Sequence, residues 1–149
     1  MQLGEAIGSV LKHKGHDVWS VDPGASVYDA IAMMSNQHVG ALLVMSEGRL
    51  IGVISERDYA RKVILMGKSS RQTQVREIMS SPVTVVTPEH SVDECMRLMT
   101  SRRIRHLPVV SGERVAGVVS IGDLVNWIIS AQEATIHQLH SYIAGQYPG

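Results

Sequence analysis

The stretch "GVISERDYARKVI" (Gly52–Ile64) returns as "GVVSIGDLVNWII" (Gly117–Ile129), with Gly, Val, Ser, Asp and the closing Ile in the same places. Each version passes from an apolar, strand-like run into a Ser-x-x-Asp that reads as the first turn of a helix. Working outward, Asp17–Ile64 lies over Pro82–Ile129 without a gap. About fifteen of roughly 48 positions are identical, including Pro23/Pro88, Ser26/Ser91, Val27/Val92, Met34/Met99, Gly52/Gly117, Ser55/Ser120 and Asp58/Asp123.

Both copies share one grammar. A short β-branched segment ("VWSV", "VTVV") leads through a Pro-containing turn to Ser-x-x-Asp or Ser-x-x-Glu. A helix follows, with apolar residues at i, i+4 and i+7: Val27, Ile31, Met34 and Val92, Met96, Met99. Next come two strands, "ALLVM" and "LIGVIS" in one copy, "LPVV" and "VAGVVS" in the other, joined through "SEGR" and "SGER". A second helix closes the unit. The expected fold class is α/β (α+β): two βαββα repeats which, because one alone leaves a sheet face uncovered, pack sheet to sheet about a pseudo-twofold axis. The boundaries read as an N-terminal helical segment 1–16, repeat 1 at 17–66, a polar linker with one helical turn at 67–81, repeat 2 at 82–130, and a C-terminal helix and tail at 131–149. In that last segment Ile136, Leu139, Tyr142 and Ile143 share helical spacing, so both flanking segments need cover from the module's own flank or from a second subunit.

Composition removes several function classes. Lys+Arg 14 against Asp+Glu 14 leaves no net field to draw the chain to nucleic acid or an anionic membrane. Arg57, Arg61, Lys62, Lys68, Arg71 and Arg76 form a basic run, but Glu56, Asp58 and Glu77 interrupt it and the chain holds no Phe. No apolar run approaches the roughly 18 residues of a membrane span, and the N-terminus lacks a signal-peptide pattern, so the sequence reads as a soluble cytoplasmic protein. The lone Cys95 lies in an apolar periodic stretch and reads as a buried thiol. His13-x-x-His16 and His137-x-x-His140 have no Cys or carboxylate cluster beside them, so metal binding is not expected. The serines stand outside any Gly-x-Ser-x-Gly elbow, which leaves no hydrolytic site.

Ser26-x-x-Asp29 and Ser91-x-x-Glu94 read as helix caps. Ser55-x-x-Asp58 and Ser120-x-x-Asp123 have the same spacing but follow a Gly-Val-aliphatic strand, where strand edge and helix start together form a ligand cleft. An aspartate in the first turn repels phosphate and suits neutral donors such as the 2′ and 3′ hydroxyls of a ribose, while a flat base lies along the strand edge. Phosphates then need separate cations. Arg57 and the "RRIRHLPVV" run, with Arg103, Arg105 and His106, supply them; their first-copy counterparts are His38, Gly40 and Ala41. If the halves face each other, Arg57 reaches toward the Asp123 cleft, whereas its equivalent Gly122 brings no charge to Asp58.

At these residues the chain resembles a stand-alone pair of CBS domains, the Bateman module, from about Asp17 to Ile129. The Gly-h-x-Ser/Thr-x-x-Asp signature stands in both copies. The resemblance implies regulatory, non-catalytic binding of adenosine-containing ligands (AMP, ADP, ATP, NAD(H) or S-adenosylmethionine), no required cofactor, homodimers, and a separate, unknown target protein. It implies a ligand set of Val53, Ser55, Arg57, Asp58, Thr84, Arg103, Arg105, His106, Pro108, Val118, Ser120 and Asp123. In that set Asp58 and Asp123 hold ribose hydroxyls, Ser55 and Ser120 lie near ribose or phosphate, and Val53 and Val118 lie along the base. The alternative is a scaffold without a physiological nucleotide, or a nucleic-acid binder.

Overall fold

The structure, a computed structural model, describes residues 4–143, with side chains described as far as His140. In chain order the elements are α1 (Ile7–Lys14), β1 (Ser20–Val21), α2 (Val27–Gln37), β2 (Ala41–Ser46), β3 (Arg49–Ser55), α3 (Glu56–Tyr59, prolonged by a π-helical turn Ala60–Ile64), α4 (Val75–Ile78), α5 (Val92–Arg102), β4 (His106–Ser111), β5 (Arg114–Ser120) and α6 (Ile121–Ile143). The gapless register of the repeat holds through the structure: α2 and α5, β2 and β4, β3 and β5 each start 65 residues apart. The architecture is mixed α/β with small sheets, as the repeat grammar requires.

The chain forms two compact units, one of Asp17–Val85 with Gly112–Val115, the other of the residues up to His16 with Val86–Ser111 and those from Ala116 on. In the first, β1 runs parallel to β2 (Val21 facing Val44) and β2 antiparallel to β3 (Leu43 facing Val53). Glu47 and Gly48, with φ 51° and 77°, make the two-residue turn between β2 and β3, where both central residues must be left-handed. In the second unit β4 pairs with β5, and the expected "VTVV" strand contracts to a single parallel bridge, Val86 to Val109. That bridge repeats the Val21–Val44 relation 65 residues on.

Both first helices begin as read. Ser26 Oγ accepts from the Asp29 N–H, and Ser91 and Glu94 form a reciprocal capping box. Both end on a left-handed residue that is not glycine, His38 and Arg103, with backbone N–H groups returned to Met34 and Met99 carbonyls. The cores match position by position. Val27, Ala30, Met34, Leu42, Val44 and Ile54 in one unit answer Val92, Cys95, Met99, Leu107, Val109 and Val119 in the other.

Of the two covers open to the flanking segments, the first segment takes the module's own flank. In the N-terminal helix Ile7, Val10 and Leu11 are fully buried in the core of the second repeat, at roughly 1.5–3 kcal/mol each. The helical turn expected in the linker does the same for the first repeat through Val75 and Ile78. The docking bonds are also the same. Ile7 and Gly8 amides donate to His90 and Pro88 carbonyls, Val75 and Arg76 amides to Ala25 and Pro23 carbonyls. Leu11 lies over Gly117 and Met79 over Gly52. These pairs stand 68 residues apart, not 65, so three extra residues between α1 and β1 hide the longer repeat from a gapless alignment.

One helix crosses the boundary read at 130/131. α6 continues from Ile121 to Ile143, because "SAQEA" contains no Gly or Pro to stop it. Ile136 and Leu139 are 65% and 59% exposed; Tyr142 and Ile143, expected on the same face, have side chains outside the described residues. Among the described residues no helix is long and apolar enough to cross a membrane.

Candidate functional site

Each repeat turns from its last strand into its second helix through a full capping box. In the first, Asp58 N–H donates to Ser55 Oγ (3.1 Å) and Ser55 N–H to Asp58 Oδ2 (2.9 Å); in the second, Asp123 N–H donates to Ser120 Oγ (3.1 Å) and Ser120 N–H to Asp123 Oδ2 (2.8 Å). All four Ser-x-x-acid motifs therefore cap helices. What distinguishes the later two is that each opens a helix directly at the end of a strand, Ser55 closing β3 and Ser120 closing β5.

Both carboxylates hold an ammonium, from unrelated parts of the chain. Lys62, four residues on in the same helix, reaches Asp58 Oδ1 at 3.2 Å and donates to the Ile78 carbonyl at 2.9 Å. Lys14, at the end of α1, donates to Asp123 Oδ2 at 2.6 Å and to the Val118 carbonyl at 2.7 Å. His16 Nδ1–H donates to the Ala116 carbonyl at 2.9 Å, the only role open to a ring nitrogen facing an oxygen acceptor. Asp123 Oδ1 accepts no hydrogen bond among the described residues. Burial by itself pushes the Asp123 carboxyl up, but the Lys14 hydrogen bond and the Ser120 N–H outweigh it and hold the group below its ordinary range.

The strand edges differ too. Val53 exchanges both backbone groups with Ser80, N–H to O at 3.2 Å and O from N–H at 2.9 Å. At Val118 the corresponding carbonyl is met by a side chain, because α1 is still helical where the shorter α4 has already ended. On the other side of the Asp123 junction, the Ile121 N–H donates to the Arg105 carbonyl at 2.8 Å. His106 is half-buried; desolvation lowers its pKa, Asp123 opposes that, and Lys14 and Arg105 add to it. One carboxylate and three basic side chains thus share this junction. Beside it, Lys14, Asp123, His13, Asn126 and Trp127 line a cleft of about 450 Å³ between α1 and α6. His13 and Trp127 meet edge to face, ring centroids 5.8 Å apart.

Residues 8–64 and 75–130 match the CBS domain. The chain belongs to the CBS-domain family. Each match takes in the helix that precedes the repeat read from the sequence. CBS domain-containing protein CBSX3, mitochondrial, from Arabidopsis thaliana is 40% identical over 151 residues, covering 95% of this chain and 73% of the relative. A protein with CBS domains from Burkholderia ambifaria MC40-6 is 46% identical with a TM-score of 0.83, covering 85% of this chain and 96% of that one. The CBS domain pair of MJ0100, solved in complex with 5′-methylthioadenosine and S-adenosyl-L-methionine, shares the fold at 23% identity, with a TM-score of 0.75 and coverage of 85% and 97%.

In the second CBS domain the fold gathers Arg105, His106, Val118, Ser120 and Asp123 at one strand–helix junction. Pro108 is buried in β4, its carbonyl accepting the Val86 N–H, while Arg103 is the exposed left-handed cap of α5. Thr84 is half-buried in the irregular segment before Val86. In the first CBS domain Val53, Ser55 and Asp58 sit at the equivalent junction, and Arg57 is exposed in the first turn of α3. Lys14 and His16 escape sequence reasoning. They belong to a segment outside the 65-residue register, and helical spacing does not reveal which repeat a helix covers.

Proposed function

We propose that the chain is a non-catalytic regulatory module that binds an adenosine-containing nucleotide at the Asp123 junction of its second CBS domain and signals to a separate protein. The observation that carries this reading is the ionised Asp123 at the head of α6, capped through Oδ2 and with Oδ1 spare. A ribose diol offers such a carboxylate two charge-assisted hydrogen bonds. The Val118 carbonyl is an edge acceptor suited to the amino group of adenine. Arg105 supplies positive charge for phosphate and His106 a ring N–H donor, with Ser120 beside the ribose. That the MJ0100 domain pair holds two adenosine-containing molecules supports the ligand class.

The first CBS domain favours the structural reading instead. Its Val53 backbone is already paired with Ser80, both Asp58 oxygens are engaged, Oδ2 by the cap and Oδ1 by Lys62, and the Arg105 position is Gly40. One working site per chain follows, and the exposed Ile129, Ile136 and Leu139 of α6 provide apolar surface for a homodimer.

Thermal shift against AMP, ATP, NAD, NADH, S-adenosylmethionine and adenine tests the reading. A ligand at 100 times its dissociation constant adds about 2.7 kcal/mol, or roughly 5–11 °C for a chain of this size. Adenine alone gives little. The absence of a shift with every ribose-bearing compound would leave the scaffold reading in its place.

A further inference from the structure

The proposed ribose site raises the question of what else competes for Asp123, and the inference rests on that assignment. The Lys14 ammonium carries three donors, and two of them go to Asp123 Oδ2 and the Val118 carbonyl. The Val118 carbonyl is the acceptor adenine's amino group would need, and Oδ2 is the second carboxylate oxygen that a ribose diol, with one hydroxyl on the spare Oδ1, would engage. His16 closes the neighbouring Ala116 carbonyl in the same manner. The end of α1 therefore covers this edge of β5 with side chains alone, whereas in the first CBS domain the backbone of Ser80 covers it and Asp58 takes its ammonium from its own helix. The residue matching Lys62 in the 65-residue register is Trp127, so Asp123 has no such local partner. Its cation comes instead from the Lys14 side chain at the end of α1.

We propose that Lys14 is the specificity-determining residue of the Asp123 site, competing with ribose hydroxyls for the carboxylate and then acting as counter-ion to the ligand's phosphate. A neutral nucleoside that takes Asp123 breaks the ion pair and offers the ammonium nothing in exchange. A phosphorylated nucleoside returns an anion to it. A sulfonium compound such as S-adenosylmethionine adds positive charge to a junction already carrying Lys14 and Arg105. The displaced side chain has room to move, because Lys14 already borders the 450 Å³ cleft between α1 and α6. At 32% and 24% exposure the ion pair is neither fully solvated nor buried. Its competition is then worth about fivefold in affinity, the equivalent of about 1 kcal/mol.

Calorimetric titration of wild type, Lys14→Met, Lys14→Arg and Asp123→Ala with adenosine, AMP and S-adenosylmethionine tests it, with thermal melts to confirm folding. Lys14→Met should bind adenosine about fivefold tighter, and its preference for AMP over adenosine should fall at least fivefold. Lys14→Arg should restore that preference, and Asp123→Ala should abolish binding. If adenosine binds Lys14→Met no tighter while Asp123→Ala still abolishes binding, the role of Lys14 is overturned and the nucleotide site stands. If no variant binds any of the three, or Asp123→Ala binds as wild type does, the ribose assignment fails and the inference with it.

Discussion

Gly117→Ala tests how α1 is held. A Cβ at position 117 would stand 2.7 Å from Leu11 Cδ2 and 3.2 Å from Cδ1, inside the roughly 3.5–4.0 Å at which carbon atoms attract. Leu11 is 1% exposed, so it has no solvent to swing into. Either it leaves its rotamer or α1 lifts from β5. Overpacking of this kind costs about 1–3 kcal/mol, a fall in Tm of roughly 2–12 °C for a chain of this size. Leu11→Ala alone leaves a cavity and costs about 2–5 kcal/mol. In the double variant the new methyl enters the space that Leu11 vacates, so the combined loss should fall short of the sum by at least about 1 kcal/mol. Urea unfolding followed by tryptophan fluorescence reads this directly, since Trp127 packs on the same core and lies edge-on to His13 of α1. Costs that add within about 0.5 kcal/mol would refute the packing of Leu11 on Gly117.

Two further outcomes follow from ionisable groups. The folded pKa of Asp123 is depressed, so its contribution is complete above the unfolded value near pH 4 and is lost as pH falls through the folded value. Asp123→Asn should therefore be about 1 kcal/mol less stable than wild type at pH 7, with the gap closing below about pH 4. Denaturation curves at pH 7, 5 and 3 check this, and a gap that stays constant through pH 3 would exclude the ion pair as its source. Desolvation, then the Glu94 charge, pushes the buried Cys95 thiol up to about 11. A thiol reagent at pH 8 should label the native protein only at the rate of unfolding, so stoichiometric labelling within seconds would contradict the burial.

Much of the fold was legible because its signals are local and duplicated. The serine caps, the i, i+4, i+7 faces of α2 and α5 and the two-residue turn at Glu47–Gly48 need only a few neighbouring residues, and each was read twice. The strand expected from Pro82 onward was weaker: only Val86 pairs, with Val109 of β4. The 65-residue register stops at Ile129 and does not show that the closing helix of the second repeat and the C-terminal helix are one, since helix propagation depends on propensity and finds no breaker before Ile143. At the site, Ser120 and Asp123 came from their spacing, and Arg105 and His106 from the basic run before the strand. Lys14 and His16 had no such pattern, since their role depends on which repeat α1 covers.

The sequence alone determined the unit: a βαββα repeat used twice, an aspartate locked to a serine at each strand–helix junction, and two copies unequal in charge. Such features follow from backbone hydrogen bonding and side-chain periodicity within a few turns of chain. Only the tertiary structure decided that the helix before the first repeat completes the core of the second, and that Asp123 meets Lys14 across 109 positions of sequence. That contact is set by where Ile7, Val10 and Leu11 find apolar surface to bury, a choice made by packing and invisible to local pattern.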